Sequence, residues 1–453
     1  MEVRIISKEI VKPSSPEVYL RKPFSLSLLD QLTPAHYVPF VVFYNKPDNS
    51  RFNNTAQILA MLKESVRKAL NQFYPLSGRT IDNCYISSYD KGVPYVEASV
   101  EAALADFIAQ TEVELSKQLL PCQCFCSIPT STSPQMVIQV TVFGCGGVAI
   151  ALCGSHKIND ATSASAFVKT WAAFNRGSDG GIRYPDMLDA GSRLFPPLES
   201  IPQDHLSLTE ALYLTEGWHT SKTFLFQNDA IAALKLKAKS KTLEHPTRNV
   251  ALSAFLWKHA MLASSAASGR WRPTVLSNSM NLRPRMKPSL PEHAIGNLRW
   301  FAVSTYNPSA TDIELDQLAH LVSKASDISK DQISRLQSGD ALEVMTELLS
   351  QMADFALQGD VEFFHCNSWL NTLGGDGVDF GWGQPMTSRP VWREARYYSY
   401  ANNFFLKSAE NGKAIEAVIT LDAKAMEILE HDPGFLAFAS PTSSLFSGAV
   451  SKI

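Results

Sequence analysis

The stretch QMVIQVTVFGCGGVAIALCGSHK, residues 135–157, constrains this chain most. Met136, Ile138, Val140 and Val142 recur at the period of a strand, Gly144, Gly146 and Gly147 interrupt, and Val148, Ile150 and Leu152 resume the alternation. The pattern predicts two strands joined by a glycine turn. DATSASAFVKTWAAF (160–174) follows and puts Phe167, Val168, Trp171 and Phe174 on one side of a helix. A second amphipathic helix is expected over 54–73, where Ile58, Leu59, Leu62, Val66, Ala69, Leu70 and Phe73 are spaced by threes and fours. YPLSGR (74–79) reads as a turn leading into short strands.

At 453 residues the chain exceeds the ~250–300 residues at which one core stops growing, so two domains are expected. Its second half predicts helices in NDAIAALKLKAKSK, NVALSAFLWKHAMLASSA, 312–336 and 341–357. Strands follow in VEFFHCNSW, RYYSYANNFFLKSA and AIEAVITL, and a last helix in AKAMEILEHD. Between the halves, 175–218 is dense in Gly, Pro, Ser and Asp without periodicity and reads as a crossover. The expected division is an N-terminal domain over 1–185, a linker over 186–218 and a C-terminal domain over 219–453. Strands and helices mix irregularly, which favours mixed α/β layers over a regular βαβ repeat.

A net charge of −3 gives no electrostatic footprint for nucleic acid or an anionic membrane. MEVRIISKEIVKPSSPEVYL lacks the apolar run of a signal peptide, and no window reaches the ~18 apolar residues of a membrane span. Seven cysteines, an odd number, argue for free thiols in a reducing compartment. A soluble, cytoplasmic protein is expected. Cys122, Cys124 and Cys126 in CQCFC have period-two spacing, but no C-x-x-C pair completes a metal site. They are read as small apolar residues on a half-buried strand, with no metal expected.

The chain has no G-x-S-x-G elbow, no phosphate-binding glycine loop of either nucleotide type and no H-E-x-x-H. His156 is the only histidine followed four positions later by an aspartate, Asp160, at the expected N-cap of the 160–174 helix. Chance supplies such a pair in roughly every second protein of this size. Asp160 could orient the imidazole, cap the helix or pair elsewhere. DFGWG (379–383) is far rarer by composition, and two glycines around a tryptophan suit a tight loop that buries the indole.

HKIND and DFGWG, in that order and separation, resemble the two signatures of the plant BAHD acyltransferase family. PSSP, SLLDQL, YPLSGR, NLRPRM followed by GNL, and NSW before DFGWG extend the resemblance over nearly the whole chain. LTPAHYVPFVVFY and EILEHDPGFLAFASP look most like the branch of alcohol, alkaloid and acylsugar O-acyltransferases. The resemblance implies a two-domain, chloramphenicol-acetyltransferase-like α/β fold, with mixed sheets flanked by helices, an active site at the domain interface and a monomeric protein. It implies acyl transfer from acyl-CoA, acetyl-CoA or another short aliphatic donor, to a small-molecule alcohol, with neither metal nor acyl-enzyme.

By resemblance His156 is the general base, Trp369 the oxyanion donor, and Asp160 a partner of Arg283 that supports the site from outside. Asp379, Gly381, Trp382 and Gly383 would likewise support it structurally. Ser253 is a candidate contact to the cofactor, and His36 either faces the acceptor or packs. The chain departs from the family pattern at Asn367, where Ser or Thr is usual, at Gln384, where a base is common, and at Ala161, where glycine is common. Two rivals stay open: a catalytically idle ligand-binding or interaction protein, and a hydrolase of acyl-CoA or esters.

Overall fold

The computed structural model describes residues 2–46, 54–109, 118–125, 130–177, 187–201, 206, 217–308, 313–357, 360–370, 378–389, 402–409 and 412–442. Cys126, much of the expected linker and the first residues of RYYSYANNFFLKSA lie outside them.

Two mixed sheets organise the chain. The first contains β1 (Arg4–Val11), β2 (Tyr37–Tyr44), β3 (Val93–Val100), β4 (Met136–Phe143) and β5 (Val148–Ser155). The second contains β6 (His219–Gln227), β7 (Thr274–Asn281), β8 (Arg299–Tyr306), β9 (Glu362–Ser368), β11 (Asn403–Ala409), β12 (Ala414–Asp422) and β13 (Ser440–Pro441). One strand of the second half, β10 (Thr387–Arg389), crosses over to the first sheet. The orders are β1-β3-β4-β5-β2-β10 and β8-β7-β9-β11-β12-β6-β13.

The glycine-broken stretch forms the expected hairpin, β4 antiparallel to β5 with Val142 opposite Val148. Helices α1 (Thr55–Gln72) and α2 (Ala161–Arg176) bring Leu62, Val66, Phe167 and Trp171 onto Ile138, Val140 and Ile150 of that hairpin. Both helices start where sequence chemistry places a cap. The side chains of Asn54 and Asp160 accept from the amides of Gln57 and Ser163, satisfying donors the helices leave free. Gly177, at φ +85°, ends α2 in the left-handed conformation a side chain would strain.

In the second half, α3 (Asn228–Lys237), α4 (Arg248–Ser268) and α7 (Ala423–Leu429) join Phe224, Leu276, Phe364 and Ile419 in a separate core, while α5 (Leu315–Ser338) contributes Leu318 and Val322. A third cluster lies along the seam. It joins Leu28, Leu29 and Leu32 to Leu298, Trp300 and, from α6 (Ala341–Leu357), Val344 and Leu348. Ala190 and Phe195 of the expected linker are buried in it, so the described part of that crossover is built into the interior.

Two expectations need correction. CQCFC is irregular over its described residues, and Phe125 sits at φ +54°, outside the strand region. The DFGWG loop, assigned to the C-terminal domain by position, packs on the first core through Val378 and Phe380 and leads into β10. A boundary at residue 219 therefore does not separate the two cores.

Candidate active site

Strand β5 delivers His156 to the seam. The His156 amide donates to the His36 carbonyl at 2.8 Å, and the Asn297 amide side chain donates to the His156 carbonyl at 2.7 Å. The peptide is thus clamped from both halves. The imidazole lines a cavity of about 590 Å³ together with Trp369, Asn367, Arg299, Asn281 and Asn278. Burial, with the Arg299 guanidinium adding repulsion, pushes the His156 pKa down to about 3. The ring is therefore neutral near neutrality, and its buried Nδ1 has no hydrogen-bond partner.

The Asp160 carboxylate is fully engaged elsewhere. Oδ1 accepts from the Ser163 amide at 2.8 Å and hydroxyl at 2.9 Å, and Oδ2 accepts from the Leu298 amide at 3.1 Å. Arg283 donates to both oxygens, at 2.7 Å and 3.2 Å, in the two-pronged geometry a guanidinium favours. The same guanidinium donates to the carbonyls of Ala294 and Gly296, at 2.7 Å and 3.2 Å. Arg283 is only 1% exposed, and the pair spans the seam behind the His156 loop. No part of it is a hydrogen bond to the His156 ring.

A second acidic clamp, with no spacing in the sequence to announce it, is built on Asp30. Ser27 and Asp30 form a reciprocal helix cap, and Asp30 Oδ1 also accepts from the Asn297 amide at 2.6 Å and side chain at 2.9 Å. Burial pushes the Asp30 pKa up against these donors. Lys157 Nζ donates to the carbonyls of Asp30 and Gln31 at 3.1 Å and 3.0 Å. The signals lay in SLLDQL and GNL, which carry Asp30 and Asn297 but not their pairing. Arg299, two residues past Asn297, carries no sequence signal.

Trp369 is half-buried on the cavity wall, its ring edge-on to Phe405 at 5.2 Å and tilted against Phe40 at 6.3 Å. The Asn367 amide, which replaces the usual hydroxyl, donates to Asn403 at 3.2 Å. His36 is wholly buried, edge-on to His156 at 5.2 Å, and does not line the cavity. Its place is packing behind the His156 ring rather than lining the cavity. Ser253 is also corrected. It lies on the core side of α4, fully buried, and donates to Asn278 at 3.0 Å, so Asn278 rather than Ser253 meets the cavity.

The DFGWG loop does not line the cavity. Asp379 Oδ1 accepts from the amides of Gly381 and Gly383 at 2.7 Å and 2.8 Å, and both glycines have φ near +100°. Phe380 is the buried anchor, edge-on to Trp171 at 5.1 Å, while the expected burial of the indole is only partial: Trp382 stacks on Phe380 at the rim. Asn175 and Arg176 donate to the loop carbonyls at 380 and 379. Residues on α2 thus hold a loop from the other end of the chain.

The model of the Transferase family, the BAHD acyltransferases, matches residues 1–436. The chain belongs to this family. It is accordingly an acyltransferase enzyme. Epi-neemfruitin B 7-O-acetyltransferase of Melia azedarach is 32% identical to it over 97% of this BAHD chain and 98% of the relative. The crystal structure of vinorine synthase superposes with a TM-score of 0.79 at 29% identity, covering 98% of this chain and all of that one. A structure of F. sporotrichioides TRI101 complexed with coenzyme A and T-2 has a TM-score of 0.70 at 18% identity, over 93% of this chain and all of that one, and shares the fold. Among the described residues, no helix is long and apolar enough to cross a membrane.

Proposed function

We propose that this BAHD chain moves a short aliphatic acyl group, acetyl foremost, from coenzyme A to a hydroxyl of a plant specialised metabolite. What carries the reading is His156: a neutral imidazole on the wall of a cavity lined from both sheets. A neutral ring can take the acceptor proton as the hydroxyl oxygen attacks the thioester carbonyl. The imidazolium then returns the proton to the departing thiolate, so two groups exchange without an acyl-enzyme. Arg285 and Lys330, with Thr247, line the same cavity on the side of α4 and α5 and offer donors for an anionic nucleotide. Arg299 also borders a separate apolar cavity, of about 60 Å³, with Leu32, Phe301, Met345 and Leu349. The same proposal has the protein monomeric and cytoplasmic, in keeping with its odd cysteine count. Incubating it with acetyl-CoA and an extract of the source tissue should yield an ester detectable by mass spectrometry. An extract that gains no acylated product with any of several short acyl-CoAs would overturn the reading.

Two further outcomes follow from the site. Trp369→Phe keeps an aromatic wall but removes the indole N–H, a donor suited to the developing oxyanion. The expected loss is about 10²–10³-fold in kcat, with KM for acyl-CoA little changed. An unchanged kcat would reduce Trp369 to a wall. The second outcome concerns pH. Because burial lowers the His156 pKa to about 3, kcat/KM should stay flat through the ordinary imidazole range near ~6.5. Stability behaves differently, since the unfolded chain protonates its imidazole first. The His156 contribution is complete above about pH 6.5 and is lost as pH falls towards the folded value. A kcat/KM profile that drops with a midpoint near ~6.5 would contradict a depressed base.

A further inference from the structure

Away from the catalytic machinery, three cysteines meet. Cys153 is on β5, three residues before His156, and is fully buried. Cys124 is buried and Cys122 half-exposed, both on the irregular segment that CQCFC forms. All three sulfurs lie within 4.8 Å of one another, and those of Cys124 and Cys153 are 3.2 Å apart. Their surroundings are Tyr37, Phe125 and Val137. No disulfide joins them. The period-two spacing supplies only Cys122 and Cys124. The third sulfur comes from a strand about thirty residues on, which is why no sequence spacing announces the cluster.

We propose that Cys122, Cys124 and Cys153 form a binding site for a thiophilic d¹⁰ cation such as Zn(II), with a fourth position open to water beside Cys122. Three thiolates at a Zn–S distance of about 2.3 Å stand about 3.8–4.0 Å from one another. The observed cluster falls around that spacing, so the ion needs sub-ångström adjustments of side chains already gathered. Thiolate sulfur selects soft cations over magnesium or calcium. Binding replaces the S–H protons, which leave to solvent, and no redox step is involved. The inference does not depend on the proposed acyl transfer.

The site also has a mechanical consequence. The Phe125 amide donates to the Tyr37 carbonyl at 3.0 Å, and the Phe125 ring lines the large cavity. An ion would tie this segment to β5 and stiffen one wall of that cavity. The test titrates reduced, metal-free protein with Cd(II) and follows the thiolate-to-metal charge-transfer absorption. One equivalent should saturate the band. Cys124→Ser should weaken binding at least tenfold, as should Cys122→Ser at its half-exposed and more tolerant position, whereas Cys145→Ser should change nothing. In parallel, one equivalent of Zn(II) should slow alkylation of Cys122, read by peptide mass spectrometry, and raise the unfolding midpoint. Absence of the band, its persistence in both the Cys122 and Cys124 variants, or isolation of the protein with a Cys124–Cys153 disulfide would overturn the proposal.

Discussion

His156→Ala is expected to lower kcat for acyl transfer by about 10²–10⁴-fold, the range a positioned general base contributes. The loss should be confined to chemistry. The residue lines the cavity, and its buried Nδ1 has no hydrogen-bond partner to lose. The clamps on this peptide use its backbone, through the carbonyls of His36 and His156, and alanine keeps them. Initial rates with acetyl-CoA and an acceptor alcohol, alongside a thermal melt, separate the two effects. A folded variant as fast as its parent would remove the base from the mechanism.

The largest expected effect on stability comes from Asp160→Asn. Asparagine is as good a helix cap as aspartate, so the bond to the Ser163 amide survives, but its NH2 replaces the oxygen that accepts from Arg283 and the Leu298 amide. What is lost is the charge facing Arg283, a guanidinium only 1% exposed. Leaving a buried charge uncompensated costs about 3–5 kcal/mol. The denaturant midpoint should fall accordingly, and activity should fall with it, because Arg283 also fixes the carbonyls at 294 and 296 next to the Asn297 clamp. Combining the change with Arg283→Met in a double-mutant cycle should recover part of the loss, since the two residues share one interaction. A fully stable Asp160→Asn protein that lost only the chemical step would instead make Asp160 an orienting partner of the imidazole, as in a hydrolase triad.

Much of this arrangement is legible in the sequence because it is local. Alternation across 136–152 and the glycines between make a hairpin whatever surrounds it, and the cap at Asp160 is a short-range bond. The ion pair of Asp160 with Arg283 came through the resemblance rather than through spacing, since nothing in the numbers 160 and 283 brings them together. What escaped depends on tertiary approach. Ser253 has the polarity of a ligand contact, but its helix turns it inward to Asn278. His36 has the chemistry of a binding residue and the place of a filler. CQCFC has the rhythm of a strand, yet its described residues are irregular, with Phe125 left-handed and Cys124 against Cys153. DFGWG stands late in the chain but completes the first core, because Phe380 finds Trp171 there. Each miss is a residue whose partner lies far along the chain.

Acceptor dependence of thioester cleavage is the most direct measurement of the central claim. The protein is mixed with acetyl-CoA, with and without a panel of hydroxylated plant metabolites, and free CoA thiol is followed with time. Release that requires an acceptor hydroxyl and disappears in His156→Ala is the expected result. Equal release in water alone would make the enzyme a hydrolase, and no release across a broad panel would leave a binding protein. Either outcome contradicts transfer by a neutral imidazole at the seam.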